Sequence, residues 1–130
     1  MNDDPKYLPE EFLNRMNNML GDDFQAFLNS YQQPRTFGLR VNTAKISCEE
    51  FEKIVPFPIS PIPWIPGGYF YPENVRPSKC AFYQAGLYYL QEPSAMTPVS
   101  RLLPKPGEYI LDMCAAPGGK ATALGAALKG

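Results

Sequence analysis

Apolar residues recur at helical spacing in the first quarter of the chain. Phe12, Met16, Met19 and Leu20 fall on one face of a helix that begins at Leu8-Pro9-Glu10-Glu11. Proline in a first turn loses only an N–H that has no partner there, and the two glutamates complement the helix dipole. Gly21 ends this helix, Asp22 or Asp23 caps a second one, Phe24, Phe27, Leu28 and Tyr31 line it, and Pro34 stops it. The period then shortens: residues 36–41 alternate loosely and read as a strand. Ser47-Cys48-Glu49-Glu50 is a capping box, followed by a short helix whose buried face is Phe51, Ile54 and Val55. Five prolines (Pro56, Pro58, Pro61, Pro63, Pro66) fall within eleven residues. Each removes a ladder donor, so this stretch is an extended connector carrying Trp64 and not a central strand. Gly67-Gly68 turns the chain, and Tyr69-Phe70-Tyr71 reads as a short edge strand.

From residue 78 the pattern changes. A helical turn or loop reaches residue 86, residues 87–91 form an apolar strand, and Ser94 caps a helix running through Met96, Val99, Leu102 and Leu103, with Pro98 distorting its early part. Pro104-Lys105-Pro106-Gly107 breaks the chain. Tyr109-Ile110-Leu111 reads as a short buried strand, and residues 121–129 as a helix with Leu124 and Leu128 four apart on one face. Between them lies Asp112-Met113-Cys114-Ala115-Ala116-Pro117-Gly118-Gly119-Lys120. A strand, a tight turn and a helix N-terminus present unpaired N–H groups and a positive dipole end. Glycines let a ligand approach that backbone, so the unit suits an anionic or carboxylate-bearing ligand. A phosphate-binding P-loop would need glycine where Cys114 stands and Ser or Thr where Ala121 stands, so it is excluded. The dinucleotide pattern G-x-G-x-x-G is absent as well. A ligand turn remains, or a turn whose glycines serve geometry alone.

Composition narrows the classes. A length of 130 residues suggests one domain, or one small domain with a piece of another, and 45% hydrophobic residues argue against disorder. The net charge of −1 means that any RNA affinity comes from a local patch. There is no histidine to act as a base or metal ligand. Cys48, Cys80 and Cys114 are widely spaced and form no C-x-x-C pair, so neither a zinc site nor a disulfide framework is indicated, and a reducing cytoplasm fits. Asp3 and Asp4 open the chain without an apolar run, unlike a signal peptide, and no stretch approaches the ~20 apolar residues of a membrane span.

The run D-M-C-A-A-P-G-G-K-A-T resembles the cofactor motif of the Sun/Fmu (Nol/Nop/Sun-type) RNA cytosine-C5 methyltransferases, with Ala121 intervening before Thr122 where the family places Thr directly after Lys. Residues 37–43, F-G-L-R-V-N-T, resemble that family's L-R-V-N-T segment, and residues 85–96, A-G-L-Y-Y-L-Q-E-P-S-A-M, resemble the segment just upstream of its cofactor motif. The resemblance implies an α/β protein. A small α+β amino-terminal, RNA-facing domain (residues 1–77) precedes the incomplete start of a doubly wound, Rossmann-like methyltransferase domain (residues 78–130). It implies S-adenosylmethionine as cofactor, lined by Cys114, Ala115, Ala116, Pro117, Gly118, Gly119 and Lys120, with Asp112 anchoring the turn through backbone N–H groups. It also turns Arg35, Arg40, Asn42 and Lys45 into candidate contacts for ribosomal or transfer RNA; by chemistry alone they read as a solvated strand face.

Methylation at carbon-5 of cytosine needs a cysteine thiolate that first adds to carbon-6. None of the three cysteines fits that role: Cys114 lies in the cofactor turn itself, and the family's nucleophile belongs to later motifs. The chain therefore reads as an inactive amino-terminal fragment with weak or absent cofactor binding of its own, one that self-associates through a truncated sheet edge or is poorly ordered there. A non-enzymatic RNA-binding module and a methyltransferase with another substrate are the alternatives.

Overall fold

The structure, a computed structural model, describes residues 7–128. Asp3 and Asp4 at one end and Lys129 at the other lie outside the described residues. Two compact units divide between Arg35 and Thr36.

The first unit is helical. Helix α1 spans Glu10–Leu20, with Glu10 and Glu11 in its first turn. It ends at Gly21, whose φ of +53° is a left-handed value that glycine adopts without a Cβ penalty. A 3-10 turn at Gly21–Asp23 leads into α2 (Phe24–Ser30). Asp23 does not cap α2 through its side chain, because its own backbone is already helical (φ −80°, ψ −6°), so the two helices run on through a tightened turn. Phe12 and Tyr31 both pack on Phe27, with ring centroids 6.2 and 5.3 Å away.

The second unit is built on a four-stranded antiparallel sheet of order β2-β3-β1-β4. Its strands are β1 (Phe37–Val41), β2 (Ser60–Pro61), β3 (Gly68–Tyr71) and β4 (Tyr88–Leu90). Two expectations change here. β3 is not an edge: Ser60 and Pro61 pair with Phe70 and Tyr69, and the proline-rich connector supplies the short edge itself. β4 pairs with β1 (Arg40 opposite Tyr89), so residues 88–90 belong to the same antiparallel sheet as the amino-terminal strands.

Alternation along β1 gives the sheet two working faces. Leu39 and Val41 point to one side, where they join Phe51, Tyr69 and Tyr88 in the buried core. Phe51 comes from α3 (Cys48–Ile54), which starts in the expected capping box: the Glu50 N–H donates to the Ser47 hydroxyl, and the Ser47 N–H to the Glu50 carboxylate. Ile54 does not share that face; it is exposed, and Val55 closes the helix half-buried. Gly38 and Arg40 point to the opposite side. A Cβ on Gly38 would come within 2.7 Å of the Gln91 carbonyl and 3.0 Å of the Met96 side chain, so glycine lets the helix that carries Met96 approach the sheet closely.

Helix α5 spans Pro93–Leu102 and packs on β1, β3 and the last helix, α6 (Gly119–Leu128). Its N-cap is Glu92 and not Ser94. The Glu92 carboxylate accepts from the Ala95 N–H at 3.1 Å and from the Ser94 hydroxyl, with Pro93 in the first turn. The helix runs on through Pro98 and stops at Leu103, which is left-handed (φ +49°). Before it, a 3-10 turn (Pro77–Lys79) and α4 (Ala81–Gln84) fill residues 77–84. Helix α6 covers Gly119–Leu128 and buries Ala123 and Leu124. The expected strand at Tyr109-Ile110-Leu111 is not formed: no strand among the described residues pairs with it, and Tyr109, Leu111 and Met113 are fully or largely exposed (104, 82 and 87%).

Candidate cofactor-binding site

The turn between residues 112 and 119 is set by local hydrogen bonds. Asp112 Oδ1 accepts from the Cys114 N–H at 2.9 Å, the backbone anchorage expected of it. The Gly118 N–H donates to the Ala115 carbonyl at 2.6 Å, and the Thr122 N–H and hydroxyl both donate to the Gly118 carbonyl at 2.8 Å. The Ala116–Pro117 peptide is cis. Cys114, Ala115, Ala116 and Pro117 are exposed, Gly118 and Lys120 half-buried, and Gly119 buried.

The two glycines do different work. Gly118 has φ +109°, a value that strains any side chain, and the space a Cβ would enter is open, with only Thr122 Cγ2 as near as 4.0 Å. Gly119 faces inward. A Cβ there would lie 2.7 Å from Gln91 Nε2 and 3.1 Å from Gln91 Cδ. Gly118 therefore borders open space, while Gly119 borders the Gln91 side chain at the end of β4.

Two features fit a cofactor with a carboxylate and hydrogen-bond donors. The first N–H groups of α6 point out of its N-terminus, as in any helix, and favour an anion. Asp112 Oδ2 is buried and accepts no hydrogen bond, so a donor supplied there would satisfy it. Among the described residues no group of three His, Cys, Asp or Glu side chains is placed to hold a metal, and no helix is long and apolar enough to cross a membrane.

Of the candidate RNA contacts, Arg40 and Asn42 are turned to internal work. Arg40 donates to Gln91 Oε1 at 2.7 Å, to the Gly119 carbonyl at 2.9 Å and to Thr122 Oγ1 at 3.0 Å, and its guanidinium lies 5.8 Å from the Tyr89 ring centroid. Burial lowers its pKa from the ordinary arginine value, partly offset by the Tyr89 phenol. Asn42 closes the corner after β1: its amide donates to the Gly86 carbonyl at 3.0 Å and its oxygen accepts from the Ala44 N–H at 3.2 Å. Lys45 is exposed yet donates to the Ala85 carbonyl at 2.7 Å, and Arg35 is exposed in the other unit. Sequence reasoning missed Tyr89 and Gln91. Tyr89 donates to the Pro117 carbonyl at 3.2 Å, and the Gln91 amide donates to the Ala95 carbonyl at 3.0 Å while accepting from Arg40. The available signal was period-2 alternation, which puts Gly38 and Arg40 on one face with Tyr89 opposite Arg40.

Residues 8–93 match the family described as the N-terminal domain of 16S rRNA methyltransferase RsmF. Among curated proteins, the chain is 36% identical to the ribosomal RNA small subunit methyltransferase F of Vibrio parahaemolyticus, over 95% of this chain and 28% of that protein. It is 40% identical to the protein of the same name from Vibrio cholerae, over 92% of this chain and 27% of that protein. It thus spans little more than a quarter of the length of these relatives. Among solved structures, a methyltransferase homolog protein from Pyrococcus horikoshii superposes with a TM-score of 0.80 at 31% identity, over 95% of this chain and 42% of that one.

Proposed function

The chain belongs to the family of the N-terminal domain of 16S rRNA methyltransferase RsmF, and on that premise we propose that it is the amino-terminal part of an S-adenosylmethionine-dependent RNA cytosine-C5 methyltransferase acting in the bacterial cytoplasm. The observation that carries this reading is the turn itself: Gly118 at φ +109° with open space beside it, just before α6, in a turn where Asp112 holds the Cys114 N–H. Bound there, S-adenosylmethionine would supply an electrophilic methyl group. Backbone groups of Ala115 and Gly118 would face its methionine and ribose end, Asp112 would accept a hydrogen bond from it, and Lys120 would pair with its carboxylate or fix the turn. Lys45, exposed in the sheet unit, and Arg35, exposed in the helical unit, each carry a positive charge that RNA phosphates would attract. The thiolate that adds to carbon-6 of cytosine would come from the part of the protein that the longer relatives carry beyond this chain.

Isothermal titration of S-adenosylmethionine into the full-length protein and its Gly118→Val variant tests the turn. The variant should lose cofactor binding, because a β-branched residue cannot adopt this φ and its methyl groups would enter the ligand space. Wild-type affinity in the variant would return the turn to a purely geometric role.

A further inference from the structure

The sheet and the turn meet at one side chain. Arg40 and Tyr89 lie opposite one another on β1 and β4. The Arg40 fork reaches the carbonyl of the first residue of α6, Gly119, and the hydroxyl of Thr122 three residues on. Tyr89 holds the Pro117 carbonyl, so the two grip the chain on either side of Gly118. Gln91 completes the set, because its amide is fixed at both ends, by Arg40 and by the Ala95 carbonyl of α5. A planar guanidinium can serve three acceptors in fixed directions; an ammonium on a flexible stem cannot hold the same geometry. The placement also runs against helix electrostatics. A cation beside a helix N-terminus is opposed by the dipole, and the acceptors around Arg40 are all neutral. An anionic group arriving at the turn would relieve that opposition.

We propose that Arg40, oriented by Gln91 and Tyr89, is a positioning residue through which the amino-terminal sheet sets the cofactor turn for the amino-acid arm of the cofactor. The proposal rests on the cofactor reading given above. It gives the amino-terminal sheet a part in cofactor binding and takes Arg40 away from RNA.

The test compares two ligands on the full-length protein: S-adenosylmethionine, and methylthioadenosine, which is the same nucleoside without the amino-acid arm. Arg40→Lys and Arg40→Met should weaken S-adenosylmethionine by about tenfold or more, the scale of one lost charge-assisted hydrogen bond. Methylthioadenosine should lose distinctly less affinity than S-adenosylmethionine, and filter-binding affinity for RNA should stay close to wild type. A change that merely loosened the fold would weaken both nucleosides alike, and that result overturns the proposal. Unchanged S-adenosylmethionine affinity in both variants overturns it too, as does a large loss of RNA affinity with cofactor binding intact, which would return Arg40 to the RNA face. If the wild-type protein binds no S-adenosylmethionine, the cofactor reading itself falls, an outcome recognisable because it needs no variant.

Discussion

Replacing Gly119 with alanine adds one carbon atom, and the structure says what that carbon meets. Its Cβ would lie 2.7 Å from Gln91 Nε2 and 3.1 Å from Gln91 Cδ. The Gln91 side chain is flexible in principle, but its amide is tied at both ends. Moving it aside breaks the bond to the Ala95 carbonyl, worth about 1 kcal/mol, and the bond from Arg40, worth roughly 1.5–3 kcal/mol because the donor is charged. Alanine in place of a helical glycine returns up to about 1 kcal/mol. The net effect should be a loss of about 1.5–3 kcal/mol in the docking of α6 on the sheet. Amide exchange in α6 should then speed up by roughly 10- to 150-fold in the Gly119→Ala chain, with β1 and β3 amides unaffected. Gln91→Ala removes the obstacle, so the double variant should exchange no faster than Gln91→Ala alone, and up to about fivefold more slowly. Wild-type or slower exchange in Gly119→Ala would refute the reasoning, and so would simple additivity of the two substitutions.

Three further changes probe the support around the site. Phe51→Ala empties a fully buried position in the sheet core and should cost about 3–5 kcal/mol, read as a large drop in the urea midpoint of the sheet unit by Trp64 fluorescence; a shift under about 1 kcal/mol would contradict the packing described. At Glu92, burial works to raise the pKa, but hydrogen bonds from Ser94 and Ala95 outweigh it and hold the carboxyl below its ordinary value. Its stabilisation is therefore fully present above the unfolded value of about 4.3 and lost as pH falls through the lower folded value, so α5 amides should lose protection in acid, and Glu92→Gln should remove that pH dependence. Leu103 ends α5 at φ +49°, where a side chain strains the backbone, so Leu103→Gly should stabilise the α5 terminus by up to about 1 kcal/mol, a prediction contradicted by faster exchange of the last α5 amides.

What the sequence revealed was local. The Ser47–Glu50 capping box is four contiguous residues whose end side chains reach one another's backbone, and it forms as read. Gly21, the β1 alternation and the Asp112 anchor are likewise decided within a few positions. Ser94 has the side chain of an N-cap, but Pro93 prefers the first helical turn and so places the cap one residue before itself, at Glu92. The apolar run at residues 109–111 has the composition of a strand, yet a strand needs a partner, and the described residues offer it none. Arg40 shows the deeper limit. By chemistry alone it reads as part of a solvated strand face, but its acceptor on Gly119 lies 79 residues away, and only the fold brings the two together. β3 was misplaced at the edge for the same reason, since Ser60 and Pro61 reach it across the connector.

The most direct test of the whole account is nucleoside mass spectrometry of 16S rRNA incubated with the full-length protein and methyl-labelled S-adenosylmethionine. Labelled 5-methylcytidine is expected with the full-length protein and none with the 130-residue chain. Label on a ring nitrogen or a ribose hydroxyl, or in 5-methylcytidine made by the 130-residue chain alone, would contradict it.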